Sequence, residues 1–295
     1  MCCPGVTLCG TPSQMLSEKK KEETSMTDHP PIFDAHCHIF PAKIAAKATG
    51  SIGGFYDSPM AELGAPEVLL AEMDRAGIAQ ALICSTATKP EQVTAINDFI
   101  HGAVQAAPDR FYGFGTLQQD LPEQTMLAEI DRIGALGLHG VKLHPDFQKR
   151  YIDDPRMLPA YRYLAEKHLP VLFHVGDRRY DFSAPERLAR VAQAVPDLLC
   201  MAAHLGGYQI WERCTVLAGL PNVIFDCSSS LEYLPPETAR RYMNRLGWDR
   251  ILFGSDFPMW RPADAVALVR DLKLDSAKEE AVFSGNFRRW LKSEG

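Results

Sequence analysis

The 295-residue sequence lacks several features that mark common classes of protein. No apolar run reaches the ~20 residues that a membrane-spanning helix needs. The eight cysteines show no paired C-x-x-C spacing of a zinc knuckle, and reduced thiols fit the cytoplasm. Basic residues are not in excess either, because the formal net charge is −6. These absences disfavour an integral membrane protein and a protein that binds nucleic acid or anionic membranes.

The first 30 residues also lack the apolar periodicity of a folded element. Residues 17–24 are charged or small and polar, so residues 1–30 are predicted to form a disordered tail. The start has neither the basic segment nor the long apolar stretch of a secretion signal, and we expect a cytoplasmic protein. The chain is 46% hydrophobic and 23% charged, and residues 31–295 are predicted to form one catalytic domain for a small-molecule substrate.

Beyond the tail, short apolar runs alternate with amphipathic segments. Such alternation predicts parallel strands joined by helices, and eight units close naturally into a (β/α)8 TIM barrel. An open doubly wound sheet is the competing architecture, but its glycine fingerprint after the first strand is absent. The predicted strands are 32–38, 80–85, 111–116, 140–144, 171–175, 198–204, 223–227 and 251–255, and the predicted helices are 66–76, 91–107, 123–136, 157–167, 185–195, 211–220 and 237–246.

Histidines and an aspartate recur at the ends of these predicted strands. His36 and His38 are two residues apart, so their side chains share one face of a strand. His174, His204 and Asp256 close three later strands, and catalytic groups of barrels lie at the carboxyl ends of strands. A divalent cation, most often zinc, accepts imidazole nitrogens and carboxylate oxygens. The sequence therefore predicts a metal site with His36, His38, His174 and Asp256 as ligands.

Lys142 closes the fourth predicted strand and has three interpretations. It is a cation for the substrate, a salt-bridge partner, or, once carboxylated by carbon dioxide, an anionic bridge between two metals. His144 shares the face of Lys142 by the strand period of two, but the proline that follows makes a loop position equally compatible. The sequence leaves these alternatives open.

Taken in chain order, the set His36, His38, Lys142, His174, His204 and Asp256 resembles the amidohydrolase superfamily, specifically its amidohydrolase-related branch of metal-dependent barrel hydrolases. The resemblance spans roughly residues 31–292 and includes the motifs LFGSDFP at 252–258 and SGNFRRWL at 284–291. It implies that the ligands predicted above bind the first metal. It also implies that His204 polarises the substrate and shuttles protons at a one-metal site, or binds a second metal with His174 and a carboxylated Lys142.

The main functional expectation is a metal-dependent hydrolase of an ester, lactone or amide. A metal-bound water would attack the carbonyl, Asp256 would accept and later deliver a proton, and His204 would help to polarise the bond. The alternative, since the resembling branch also contains aminocarboxymuconate-semialdehyde and resorcylate decarboxylases, is a metal-dependent nonhydrolytic decarboxylase of an aromatic or muconate-type acid. A barrel that binds a ligand without turnover is the third interpretation.

The loops after the strands predict the character of the substrate. Arginines there could hold a substrate carboxylate, and aromatic side chains could flank a planar ring, which predicts a small carboxylated substrate. The alternative is that these arginines are solvated or paired with neighbouring acids. The residues concerned are Arg150, Arg178, Arg179 and Arg261, with Tyr151, Tyr180, Tyr208 and Trp260.

The long segment 41–64 after the first strand contains three glycines, which predicts either a mobile lid over the site or a disordered insertion. Barrels of this kind often associate, so a homo-oligomer is compatible with the sequence, although no interface can be identified from it.

Overall fold

Contacts divide the computed structural model into two units, Met1–Pro30 and Pro31–Gly295. The structure describes residues 1–2 and 30–291, so the predicted tail lies almost wholly outside the described residues. The second unit is the (β/α)8 barrel that the sequence predicts. Among the described residues, no helix combines the length and the apolar character that crossing a bilayer would require.

The barrel wall in this unit consists of parallel strands in chain order. One sheet has the order β1–β2–β3 and the other runs from β4 to β9 without a crossover. The strands are β1 (Ile32–His38), β2 (Ile78–Cys84), β3 (Phe111–Gly113), β4 (Gly115–Thr116), β5 (Val141–Leu143), β6 (Val171–Phe173), β7 (Cys200–Ala202), β8 (Val223–Asp226) and β9 (Ile251–Leu252).

Backbone hydrogen bonds join the two sheets into a closed ring. β3 and β4 flank Phe114 and act as one wall strand, because the amide of Phe114 bonds back to Ile83 at 2.9 Å while that of Gly115 bonds forward to Gly140 at 2.9 Å. The first and last strands meet where the amide of Ala35 donates to the carbonyl of Phe253 at 2.8 Å. Eight wall strands therefore enclose one interior, as predicted, and the ring leaves no open edge.

Helices cover the outside of the wall, and proline explains where many of them begin. Its fixed φ suits the first helical turn, where its missing N–H is not needed. The α-helices are α1 (Ala42–Tyr56), α2 (Pro66–Ala76), α3 (Val93–Ala106), α4 (Glu123–Ala135), α5 (Pro145–Gln148), α6 (Leu158–Glu166), α7 (Pro185–Ala194), α8 (Pro236–Leu246), α9 (Pro262–Asp271), α10 (Ser276–Glu280) and α11 (Asn286–Leu291). The segment predicted as helix 211–220 is instead a 3₁₀ helix, Trp211–Leu217.

The barrel interior has two parts with opposite chemistry. Alternate side chains of the strands point inwards. Near the middle they form what we call the apolar layer, which comprises Ala35, Leu82, Phe114, Leu172, Met201, Ile224 and Leu252. Nearer the carboxyl ends of the strands lies the polar layer, which comprises His36, Lys142, His174 and Asp226 and is also buried. The step from Leu172 to His174, and from Ile224 to Asp226, follows the strand period of two.

Candidate metal centre

The end of β1 turns both of its histidines into the barrel. Its pairing with β2 is irregular between Asp34 and Cys37, and such an irregularity re-aims the side chains beside it. Beside this bend, the Oδ1 atom of Asp34 accepts hydrogen bonds from the backbone amides of His36 at 3.1 Å and Ser255 at 3.0 Å, a role that an amide oxygen can also fill. His36 and His38 therefore face the site together, as the sequence predicts.

His36, His38 and Asp256 bring three donor atoms to one point. The two Nε2 atoms are 3.1 Å apart, and the Oδ1 atom of Asp256 lies 3.7 Å from His36 and 3.5 Å from His38. Ligand atoms around one divalent ion, each about 2.1 Å from it, stand roughly 3.0–3.4 Å apart. The two histidine nitrogens have this spacing, and the aspartate oxygen lies slightly farther from each of them, so the three donors come close to the arrangement that a shared divalent ion requires.

Asp256 is held by a chain of hydrogen bonds from the neighbouring loop. Its Oδ2 atom accepts from the hydroxyl of Ser229 at 2.6 Å, and that hydroxyl accepts from the indole N–H of Trp260 at 2.9 Å. Burial raises the pKa of Asp256, but its neighbours His36 and His38, the latter through a hydrogen bond, bring it well below its usual range. The carboxylate is therefore ionised and fixed in orientation, with Oδ1 directed towards the histidines.

His174 and His204 face each other across the second half of the site. His174 places Nε2 at 2.9 Å from the carbonyl oxygen of Gly176, and His204 places Nδ1 at 3.0 Å from that of Ser228. A carbonyl only accepts, so both of these nitrogens carry the proton. The remaining nitrogens, Nδ1 of His174 and Nε2 of His204, then present lone pairs to each other at 2.9 Å. Two facing lone pairs at this distance repel each other unless one nitrogen is protonated or a cation lies beside them. Burial disfavours the protonated form of both rings, which supports the fit of a metal here.

The protonation states of the histidines divide into two kinds. Burial and the charge of Lys142 lower the pKa of His36 well below the usual range. Burial and the neighbouring His204 lower the pKa of His174 in the same way. Burial also lowers the pKa of His204. His38 differs, because burial lowers its pKa but the charge of Cys84 and a hydrogen bond with Asp256 raise it to about 9 overall. Neutral imidazole is the form that binds metal, so His38 would have to lose a proton to bind one.

Lys142 lies inside the same cluster and is completely buried. Its Nζ atom is 3.0 Å from the Nε2 atom of His36. Burial lowers the pKa of Lys142. This position is compatible with a cation for the substrate and with a carboxylated bridging ligand, whereas a carboxylate salt-bridge partner is absent among the described residues.

Asp226 and Ser228 belong to the site but escape the sequence analysis. The Oδ2 atom of Asp226 is 3.1 Å from the Nδ1 atom of His36, and the Ser228 hydroxyl is 3.1 Å from the same nitrogen. The available signal was an acid at the end of the seventh predicted strand, the same pattern that identified Asp256. This signal is ambiguous, because aspartate is also common in the turns that follow strands.

His144 packs beside the centre but does not complete it. Its ring lies parallel to that of His174, with ring centres 4.0 Å apart and planes 10° apart. Ring lone pairs lie in the ring plane, so two parallel stacked rings direct them side by side rather than at one ion. The Nε2 atom of His144 instead bonds to the hydroxyl of Tyr56 at 2.8 Å. Tyr56 is the last residue of α1, which makes up most of the predicted lid segment. The lid segment is therefore mostly helical, and the end of this helix lies over the site.

The predicted rim arginines are mostly engaged with acids, in agreement with the alternative of neighbouring pairs. Ion pairs join Arg150 to Asp120, Arg179 to Asp177 and Arg261 to Glu62. Of the predicted aromatic residues, Tyr208 lies against His204 with ring centres 5.4 Å apart and Trp260 reaches the site through Ser229. Tyr151 instead packs under Arg187, and Tyr180 packs beside Arg179.

The amidohydrolase family profile matches residues 33–292, which is most of the chain. The chain belongs to this family. The resemblance inferred from the sequence is thus confirmed, and the protein is an enzyme of the amidohydrolase superfamily.

Solved structures agree on the fold. An uncharacterized TIM-barrel protein from Bordetella bronchiseptica superposes with a TM-score of 0.74 at 22% identity, covering 89% of this chain and 99% of that one. The 5-carboxyvanillate decarboxylase of Novosphingobium aromaticivorans, with bound manganese, superposes with a TM-score of 0.71 at 20% identity, covering 89% of this chain and 97% of that one. A dihydroxybenzoic acid decarboxylase from Polaromonas, with manganese and 2-nitroresorcinol, superposes with a TM-score of 0.71 at 16% identity, covering 90% of this chain and 97% of that one.

The expectation of a hydrolase was wrong. The named enzymes among the similar structures include decarboxylases of 5-carboxyvanillate and 2,6-dihydroxybenzoate, which break a C–C bond without hydrolysis. They favour the alternative that the sequence left open. The motif set could not make this distinction, because the branch that it resembles contains both hydrolases and decarboxylases.

Proposed function

We propose that this enzyme is a metal-dependent, nonhydrolytic decarboxylase of a small aromatic carboxylic acid. The observation that carries the proposal is the convergence of His36, His38 and Asp256 at one buried point bordered by aromatic rings. The similarity to decarboxylases that bind manganese and ring-substituted benzoates or phenols supports it. A small-molecule substrate and a cytoplasmic location, both predicted from the sequence, remain part of the proposal.

His36, His38, Asp256 and His174 would hold the ion. A divalent metal supplies a Lewis acid that orients substrate oxygens and stabilises developing negative charge. Imidazole and carboxylate ligands suit zinc, the metal expected from the sequence, and also manganese, which the related decarboxylases contain. We propose a single ion, with Lys142 as an uncarboxylated cation facing the substrate; two ions per chain would instead indicate a carboxylated Lys142.

The aromatic side chains would place the substrate ring. Tyr56 lies edge-on to Tyr208 with ring centres 5.5 Å apart, and Tyr208 lies within 5.9 Å of the ring of His174. Offset and edge contacts of this kind favour a flat aromatic ligand over an aliphatic one. These aromatic walls support an aromatic acid as the substrate.

Decarboxylation needs one proton at the carbon that loses its carboxylate. The C–C bond breaks, its electron pair stays on the ring carbon, carbon dioxide leaves, and a proton replaces it. His204 keeps the Nδ1 proton on the carbonyl of Ser228, so Nε2 is the atom that can take up and release another proton. We assign this transfer to His204, and Asp256 orients the reacting group beside it.

The test is direct measurement of carbon dioxide. Protein purified without chelator would be loaded with Mn²⁺ or Zn²⁺ and supplied with hydroxybenzoates that bear a carboxylate next to a phenol. The proposal expects stoichiometric carbon dioxide and phenol, both abolished by chelation and restored by metal. Hydrolysis of lactones or amides by the same preparation, without carbon dioxide from any aromatic acid, would overturn it.

A further inference from the structure

We infer that Asp226 is a positioning residue that sets the tautomer of His36, and thereby raises the affinity of the site for its ion. The inference rests on the metal site of the proposed function, but it concerns hydrogen bonds within the chain. Asp226 ends β8 and is completely buried, and it lies behind His36 on the side away from His38 and Asp256. It does not need to touch the substrate.

The two oxygens of Asp226 have separate and complete sets of partners. Oδ1 accepts from the backbone amides of Ser228 at 3.0 Å and His204 at 3.2 Å, and from the Ser228 hydroxyl. Oδ2 faces the Nδ1 atom of His36 at 3.1 Å. Because Oδ1 is committed to three donors, the carboxylate cannot turn without leaving backbone N–H groups unpaired. Asp226 is therefore locked in one orientation.

This orientation dictates the state of His36. A carboxylate oxygen only accepts, so the Nδ1 atom of His36 must carry the proton and Nε2 must present its lone pair. That lone pair is directed at the point where His38 and Asp256 converge. Carboxylate groups commonly orient metal-binding histidines in this way from outside the ligand set. The Ser228 hydroxyl gives its own proton to Asp226, so its oxygen is also free to accept from His36.

Replacement of Asp226 by asparagine should reverse the tautomer. The amide oxygen must take the place of Oδ1, because three donors point there, and the NH₂ group must then face His36. A donor at this position competes with the Nζ atom of Lys142, which is 3.0 Å from Nε2, for the one lone pair of His36. Because backbone donors fix the amide whereas the lysine side chain can turn away, we expect the lone pair on Nδ1 and the proton on Nε2. An Nε2–H points into the centre and blocks the ligand atom, although the residue volume is unchanged.

Asp34 offers a matched control in the same region. It is equally buried, and its Oδ1 atom also accepts two backbone amides, but its Oδ2 atom has no hydrogen-bond partner among the described residues. In Asp34→Asn the amide oxygen can keep both backbone bonds, and the NH₂ group meets no imidazole nitrogen. The chemical change is thus the same, without a route to the tautomer of His36.

The first measurement is the ¹⁵N spectrum of histidine-labelled, metal-free protein, with the His36 signals assigned by their loss in His36→Gln. We expect an Nδ1–H pattern in the wild type and in Asp34→Asn, and an Nε2–H pattern in Asp226→Asn. An Nε2–H pattern in the wild type would refute the inference without any variant of Asp226. An unchanged Nδ1–H pattern in folded Asp226→Asn would also refute it.

The second measurement is Mn²⁺ affinity by titration. Asp226→Asn should bind about 10–100-fold more weakly, the usual effect of losing such a partner, and Asp34→Asn should bind within about threefold of the wild type. Equal losses in both variants would mean a general structural effect and would contradict the inference. If the wild type bound no metal, the proposed function would fail, whereas the tautomer comparison would still stand or fall on the spectra.

Discussion

The apolar and polar layers of the barrel interior are made by the same strands, one step apart, yet they are stabilised in opposite ways. The apolar layer buries side chains that need no partner, so each contributes through packing alone. The polar layer buries groups that each need a hydrogen-bond partner, and their contacts are concentrated around the candidate metal centre. The difference suggests that the middle of the barrel maintains the fold while its carboxyl end holds costly groups for function.

The largest effect should come from removal of a ligand in the polar layer. His36→Ala is expected to eliminate metal from the purified protein and to lower decarboxylation by about 10³-fold, or roughly 4 kcal/mol of barrier, because the Lewis acid is lost. Elemental analysis and carbon dioxide release measure this. If His36→Ala kept its full metal content, the donors around His36 would not be the metal site.

A substitution in the apolar layer should show the opposite behaviour. Leu172→Ala removes a completely buried side chain two residues before His174 and is expected to lower the free energy of unfolding by roughly 3 kcal/mol, through lost burial and a new cavity. Metal content of the folded fraction should stay unchanged. Urea unfolding beside elemental analysis makes the comparison, and loss of metal without loss of stability would erase the distinction between the layers.

The pH dependence of metal binding should isolate His38. Its pKa is raised to about 9, so below that pH the ion must displace a proton from His38, and above it no such cost applies. Affinity should therefore fall by about tenfold for each pH unit below 9 and level off above it. Mn²⁺ titrations between pH 6.5 and 8.5, with proton release measured in parallel, test the slope; a flat profile would contradict it.

The smallest effect concerns how the polar layer is covered. Arg179 donates to the backbone oxygen of Phe55 and stacks on its ring at 4.5 Å, which ties the end of α1 over the site. Arg179→Gln should raise amide exchange near Tyr56 and the KM by about threefold, consistent with roughly 0.6 kcal/mol for a partly exposed contact. Arg178→Gln is the matched control, because Arg178 is exposed and has no such partner in the described chain.

The strands were predictable because their apolar runs are short and regular, but their ends were not. The predicted strand 198–204 shortens to Cys200–Ala202, since hydrogen bonding to the neighbouring strand stops and His204 takes a positive φ of 60°. In the same way, the predicted strand 111–116 divides at Phe114, because the amides of Phe114 and Gly115 bond to strands of different sheets. Periodicity marks which face a residue occupies, but not where the ladder ends.

The site was predictable to the extent that its residues end strands. The predicted ligands His36, His38 and Asp256 do converge, and their roles as ligands remain predictions. Tyr56 could not be predicted, because its position over the site depends on the path of α1 rather than on a pattern in its own segment. The motifs also could not predict which reaction is catalysed, since the branch that they resemble contains both hydrolases and decarboxylases.

The meeting of the first and last wall strands has a consequence for how the protein is made. Asp34 bonds to Ser255, 221 residues further along the chain, and the donors of His36 and His38 meet Asp256 at this same junction. During synthesis the two histidines leave the ribosome before the aspartate, which follows more than 200 residues later. The complete donor set therefore exists only after the last wall strand has been translated and has paired with the first.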